Sequence, residues 1–263
     1  MTPDVTPADF DPAECTPPDF APTDFAPADF APADFAAAME ATWPPAATHR
    51  AGPWLIREGQ GGGKRVSAAS AEGEWSDPDI ARAEAGLLAL GQQLLFVIWS
   101  WDQRLDDALA IKGYARIDPV LGYAAPVTAF EAPARMSAFP HWPPMQIARD
   151  IWAEAEIGPG RLAVMQRATG LKTAVLGRTA DHPSGVAFVA IHGKTALIHA
   201  LEVRPPLRRQ GAARNILNAA AQWAANHGAV RLALAVTEAN HPARALYTSL
   251  GMQPVGHYHY RIK

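Results

Sequence analysis

Cysteine is almost missing from this chain of 263 residues: Cys15 is the only thiol. One thiol cannot close an intramolecular disulfide, and the same count excludes a zinc site built on cysteines. Long hydrophobic runs are missing too. The longest, Leu94 to Trp99 (LLFVIW), has the length of a buried strand and falls far short of the roughly 18 apolar residues that cross a bilayer. The N-terminus lacks the basic and apolar segments of a secretory signal. The chain therefore reads as soluble and cytoplasmic, with no membrane partner. Basic residues are absent before Arg50, while residues 1–40 hold nine acids. The other 17 of the 26 acids face all 23 bases, so a net charge of −3 divides into an acidic leader and a body of +6. Spread over so long a body, that excess is too thin for a nucleic-acid binder and suits a small anionic ligand.

What the leader has in abundance is proline. From Thr6 to Phe35 it repeats in fives: TPADF, DPAEC, TPPDF, APTDF, APADF, APADF. Proline at nearly every fifth position removes a backbone donor and blocks a continuous helix, and the aspartates repel one another. Residues 1–40 are expected to be a disordered tail, with Phe10, Phe20, Phe25, Phe30 and Phe35 as the alternative, anchors for a partner.

Residues 41–128 alternate strands with amphipathic helices. Trp54 to Ile56 and Arg65 to Ala68 flank Gly61-Gly62-Gly63, which reads as a hairpin. Gly59 to Lys64 fails the phosphate-loop pattern because Arg65 stands where Ser or Thr is required. Ile80, Ala83, Leu87 and Leu90 share a helical face, Leu94 to Trp99 follows as a strand, and Leu105 to Ile111 is helical until Gly113. This half reads as a complete α/β unit. Residues 129–143, rich in proline, read as a linker. Residues 144–263 show two helix signals, then strands at Thr173 to Thr179, Val186 to Ile191 and Ala196 to Val203 joined by hairpin loops. A long helix from Gly211 stopped by Gly228, a strand, a short helix from Pro242 stopped by Gly251 and a last strand complete the second unit.

The chemistry gathers where the third of those strands meets the long helix: Leu201-Glu202-Val203-Arg204-Pro205-Pro206-Leu207-Arg208-Arg209-Gln210-Gly211-Ala212-Ala213. Free backbone N–H groups converge at a helix start, small residues allow close approach, and arginines flank it, which is the geometry that binds a pyrophosphate. His257 and His259 alternate on the last strand, yet no third ligand stands nearby, so no metal site is assigned. Trp99, Trp101, Trp142, Trp152 and Trp223 are expected to pack in cores, one or two of them lining a pocket.

Arg208-x-x-Gly211-x-Ala213 after Leu201-x-Val203, followed by Asn240-His241-Pro242-Ala243-Arg244-Ala245-Leu246-Tyr247-x-x-Leu250-Gly251-Met252, resembles the GNAT (Gcn5-related N-acetyltransferase) superfamily over about residues 144–263. The resemblance implies a mixed α/β fold, acetyl-CoA as acyl donor, no metal, and an amine acceptor, small molecule or peptide, attacking the thioester directly. It implies that amides of Arg209, Gln210, Gly211, Ala212 and Ala213, beside Arg208, hold the pyrophosphate. Leu201 and Val203 would pair with the pantetheine, the Val203 N–H would face the thioester carbonyl, and Asn240 would bond the pantetheine arm. Tyr247 would protonate the leaving thiolate.

Many members carry a base at the position of Leu197. His199 and Glu202 are the titratable substitutes, and strand alternation puts them on opposite faces, with His199 preferred because it is neutral at pH 7. The missing Glu leaves a non-catalytic acyl-CoA binder as the alternative function. The first half, whose element order parallels the second but which lacks R-x-x-G-x-A, resembles a degenerate copy in a tandem arrangement.

Overall fold

The computed structural model describes residues 30–263, so Phe10, Phe20 and Phe25 lie outside the described residues. At Pro32 the proline repeat gives way to AAAMEAT, with no further proline before Pro44. Helix α1 (Pro32–Thr42) forms there, with Pro32 at its start, where the missing N–H is an orphan in any helix. Phe35, Ala38, Met39 and Thr42, at i, i+3, i+4 and i+7, make its buried face. Phe35 is 0 % exposed, stands edge-on to Trp99 at 6.3 Å, and lies where a side chain at Gly122 would fall, 2.5 Å from its ring. The expectation of a disordered tail through residue 40 is thereby corrected for residues 30–40, whose apolar face repeats at helical spacing once proline stops recurring.

Eleven strands form one sheet. The first repeat runs β1 (Ala47–Ala51), β2 (Trp54–Glu58), β3 (Ala69–Ala71), α2 (Asp77–Ala89), β4 (Leu95–Trp99), α3 (Gln103–Ile111) and β5 (Ala115–Pro126). Then come β6 (Ala138–His141), α4 (Gln146–Glu154) and α5 (Pro159–Arg167). The second repeat runs β7 (Lys172–Thr179), β8 (His182–His192), β9 (Thr195–Val203), α6 (Ala212–Asn226), β10 (Arg231–Thr237), α7 (His241–Ser249) and β11 (Gln253–Ile262).

The sheet order is β1-β2-β3-β4-β11-β5-β10-β9-β8-β7-β6. Read outward from the antiparallel pair β11–β5, the two sides match. β4 and β10 each pair antiparallel with the inner strand beside them. β3 and β9 pair parallel with β4 and β10, and β2 and β8 pair antiparallel with those. The two repeats have therefore exchanged their last strands: β11 lies between β4 and β5, and β5 lies between β11 and β10. The first half is not complete alone, which corrects that expectation, because its sheet contains a strand from the chain's end.

Two further expectations change. The stretch read as a linker holds β6, an edge strand paired with β7 from Ala138↔Gly177 to His141↔Ala174, because an edge position tolerates Pro140. Arg65 to Ala68 is not the second arm of a hairpin. β2 pairs with Ala69–Ala71 instead, and residues 59–68 form a longer loop containing one 3₁₀ turn, Lys64–Val66.

The helices cover both faces. On one, α6 and α7 pack on Val175, Val189, Ile198, Leu232 and Leu234, and α2 and α3 pack on Phe96 and Ile98. On the other, α1 covers Val97, Val120, Leu197 and Ala233, and α4 and α5 cover Ala174, Val186 and Phe188. Buried on both faces, central strands such as β8 read as nearly unbroken apolar runs.

Candidate functional site

β9 and β10 are parallel and paired from Thr195↔Arg231 to Ile198↔Leu234. Beyond that point β9 follows β8 to Val203 and β10 follows β5 to Thr237, so the two strands splay apart at their C-terminal ends. A bulge drives the divergence. Ala200 has φ +50, and between Phe188↔His199 and Val186↔Glu202 the ladder has two residues on β9 opposite one on β8. Two residues against one is the signature of a β-bulge, which bends the strand that carries it. The Trp152 indole donates to the Ala200 carbonyl at 2.8 Å and holds the bulge from α4.

The bulge also shifts side-chain alternation. Val186 and Phe188 share a face of β8, so their partners Glu202 and His199 share one too. Leu201 and Val203 pack on the α6 side, and Ala200 packs on the α4 side. The expectation that His199 and Glu202 point oppositely is corrected: simple alternation holds only for an unbroken ladder.

From Val203 the chain turns through a 3₁₀ turn (Pro205–Leu207) into α6. Arg209 and Gly211 both take left-handed backbone, with φ +64 and +81, which turns successive amides outward before the helix begins. Among the described residues, no backbone or side-chain acceptor is bonded to the N–H groups of Arg209, Gln210, Gly211, Ala212, Ala213 or Arg214. No acidic residue occupies the first turn of α6, and Arg208, Arg209 and Gln210 are exposed around it. Space beside Gly211 is open, since an added Cβ would meet nothing within 4 Å. Unfilled amides and the positive end of the helix dipole make this an anion-receptive cradle at the mouth of the splay. Arg208 leans back, its Nε donating to the Val203 carbonyl at 3.0 Å.

On the other side of the gap, Asn240 caps α7, its Oδ1 accepting from the Ala243 N–H at 3.2 Å, which leaves its amide N–H groups for a ligand. Tyr247, two residues before the end of α7, is 6 % exposed with its ring 5.8 Å from that of Tyr123. Burial, reinforced by the charge of Glu202, pushes its phenol up to about 12. Glu202 is half-buried, and desolvation raises its carboxyl above the usual range against the pull of Arg208 and Arg161.

His199 stands differently. The Thr42 hydroxyl donates its single hydrogen to the Ala38 carbonyl at 2.7 Å, so the contact of 2.8 Å between Thr42 Oγ1 and His199 Nε2 has the imidazole as donor. Nδ1 then carries the lone pair and accepts from Arg65 Nη1 at 3.3 Å. Both nitrogens are occupied. Burial, with Arg65 adding to it, holds His199 well below its ordinary pKa, so it is a neutral, fixed group without a free lone pair. The preference for His199 as base does not survive these surroundings.

A cavity of about 260 Å³ opens at the splay between the repeats. The first repeat supplies Gly62, Gly63, Lys64 and Arg65 from the loop after β2, with Asp118 and Val120 from β5. The second supplies His199, Ala200, Thr237 and Tyr258. Trp43, just past α1, also lines it and lies 5.0 Å from the His199 ring. None of the five tryptophans considered from the sequence does so. Trp43 and Arg65 carry no motif; only the fold brings them to the splay.

Residues 147–252 match the model of the acetyltransferase (GNAT) family. Among curated proteins, the chain is similar to the uncharacterized N-acetyltransferase YobR of Bacillus subtilis, 24 % identical over 234 residues, 85 % of this chain and 95 % of that one. Among solved structures, a GCN5-related N-acetyltransferase from Kribbella flavida superposes with a TM-score of 0.68 at 18 % identity, covering 88 % of this chain and 95 % of its own. A tandem GNAT protein from the clavulanic acid biosynthesis pathway gives a TM-score of 0.58 at 15 % identity, covering 84 % of each. The family match spans the bulged strand, the open start of α6 and the helix carrying Tyr247, so residues 147–252 form a GNAT acetyltransferase domain.

Proposed function

We propose that the chain transfers an acetyl group from acetyl-CoA to the amine of a small acceptor by direct attack on the thioester. One observation carries this reading: the unbonded amides of residues 209–214 stand beside the gap between β9 and β10. The fit is physical. A pyrophosphate needs several convergent donors, small side chains and positive potential, and Gly211 with its open surroundings and the flanking arginines supplies them. The exposed edges of Leu201 and Val203 would pair with the pantetheine amides, and the Val203 N–H would stabilise the oxyanion.

The cavity between the repeats would seat the acceptor. Glu202 takes the base role, because its carboxyl is raised toward the working range of a proton acceptor while His199 has no free nitrogen. As the amine nitrogen bonds to the acyl carbon and the carbon–sulfur bond breaks, Glu202 accepts the amine's proton. Tyr247, protonated at neutral pH, donates to the departing sulfur. A phenol at about 12 is a weaker acid than a thiol in water, so this donation requires the sulfur to be desolvated as well, which the buried site of Tyr247 favours. His199 acts as a positioning residue, linking Thr42 of α1 to Arg65.

Calorimetry with acetyl-CoA should give one site per chain, and turnover with a panel of primary amines should release free CoA thiol. Binding without turnover for any amine would make the chain an acyl-CoA binder instead.

A further inference from the structure

We infer that the acceptor carries a carboxylate beside its amine, and that Arg65 receives it. This rests on reading the cavity between the repeats as the acceptor's seat. Arg65 enters that cavity half-buried. Its Nε and Nη2 donate to the Tyr258 hydroxyl at 3.3 and 3.2 Å, and its Nη1 to His199 Nδ1 at 3.3 Å. Tyr260 lies beside it, its phenol held in the protonated form because burial pushes it well above the ordinary range.

None of these partners is a carboxylate. The imidazole accepts through its lone pair, as the Thr42 contact requires. Among the described residues no carboxylate pairs with Arg65. The one carboxylate lining the cavity, Asp118, is taken by Lys64 at 2.6 Å.

Guanidinium stays charged at any working pH. Withdrawing a cation from water is costly unless a counter-charge offsets it, and here the fold holds the cation in place from two sides without supplying one. Its bonds to Tyr258 and His199, with a further one to Tyr260, do not exhaust its five N–H groups. A planar anion fits what is left. Lys64 is neutralised by Asp118, and Arg161, exposed at the rim, feels Glu202. One unbalanced positive charge matches one carboxylate better than a phosphate dianion. The volume, about 260 Å³, is below the roughly 300–1,000 Å³ of drug-sized sites and suits a molecule of amino-acid size.

The test compares matched acceptors. Wild-type protein with acetyl-CoA is assayed against free amino acids and against their carboxamides. The acids should have the higher kcat/KM, by about 10- to 100-fold and mainly through KM, the worth of a charge-assisted bond. Amidation lowers the amine's pKa and leaves more of it unprotonated, so an acid preference cannot arise from that source. R65Q should erase the acids' advantage, bringing the acid-to-amide ratio of kcat/KM to about 1, with acetyl-CoA affinity kept. If R65Q does not fold, the wild-type comparison decides alone.

A second measurement needs no turnover: calorimetry of N-acetylalanine and N-acetylalaninamide on protein saturated with CoA. Tighter binding of the acid, lost in R65Q, supports the carboxylate seat even if no amine is acetylated, in which case it is the transfer reading that fails. Equal handling of acid and amide in both measurements overturns the inference. So does a preference for phosphoethanolamine over every amino acid.

Discussion

Helices α2 and α6 occupy equivalent places in the two repeats, each leading from a strand to the strand parallel to it, yet only one start is left open. α2 begins Ser76-Asp77-Pro78-Asp79, and the Asp79 carboxylate accepts from the Ser76 N–H at 2.9 Å and the Ser76 hydroxyl at 2.6 Å. Asp77 and Asp79 in the first turn already place negative charge on the helix dipole, and Glu72 and Glu74 precede them. α6 has no acid in its first turn and opens on left-handed Gly211.

The helices that follow diverge in the same way. α3 and α7 are nine residues each and end in matching caps: Tyr114 N–H to Leu109 O at 3.0 Å, and Met252 N–H to Tyr247 O at 3.1 Å. Leu109, fully buried, therefore stands where Tyr247 stands. Glycine caps and core residues keep the topology, whereas a few side chains at one strand–helix junction and one helix turn separate the open start from the closed one.

The largest expected effect falls on the open junction. Gly211→Glu places a negative charge among the free amides, and calorimetry should register loss of acetyl-CoA binding. Its left-handed backbone should also cost about 1–2 kcal/mol of stability, with circular dichroism unchanged. Retained affinity would remove the contrast between α6 and α2.

Next is the seam where the repeats meet. Phe35→Ala leaves a cavity over Gly122 and beside Trp99, with an expected loss of about 3–5 kcal/mol in urea unfolding. A change under 1 kcal/mol would mean that α1 is not part of the shared core.

For catalysis, Glu202→Gln should lower kcat by about 10²-fold. The wild-type rate should rise with pH as Glu202 deprotonates, through a pKa above the ordinary Glu range, and the variant should lose that limb. A variant with an unchanged pH profile would assign the base elsewhere. Tyr247→Phe should cost kcat roughly ten- to a hundredfold with acetyl-CoA affinity kept; Leu109, its counterpart, has no hydroxyl to lose.

The smallest effect belongs to the closed junction. Asp77→Asn with Asp79→Asn should lower the melting temperature slightly by weakening the α2 cap, and should leave one acetyl-CoA per chain. A second bound equivalent would show that acid at the helix start is all that separates the repeats.

Much of the second repeat was legible because its signals are local. Gly228 and Gly251 stop helices with φ of +84 and +77, and the small residues after Arg208 mark the cradle; the loop expected at residues 181–185 is shorter, a turn at Ala180 and Asp181 with β8 starting at His182. The facing of the two candidate bases was misread for an equally concrete reason. A one-residue bulge at Ala200 moves Glu202 onto the face of His199, and bulges leave no mark in a pattern of alternation.

The sequence by itself marked most elements of the second repeat and the small residues that open α6, since each depends on residues within a few positions of one another. Tertiary structure alone decided that β5 and β11 trade places, that residues 30–40 close the core, and that Trp43, Arg65 and His199 meet at one cavity. Those outcomes depend on pairings between segments more than a hundred residues apart. Such pairings are selected by which apolar faces bury best together.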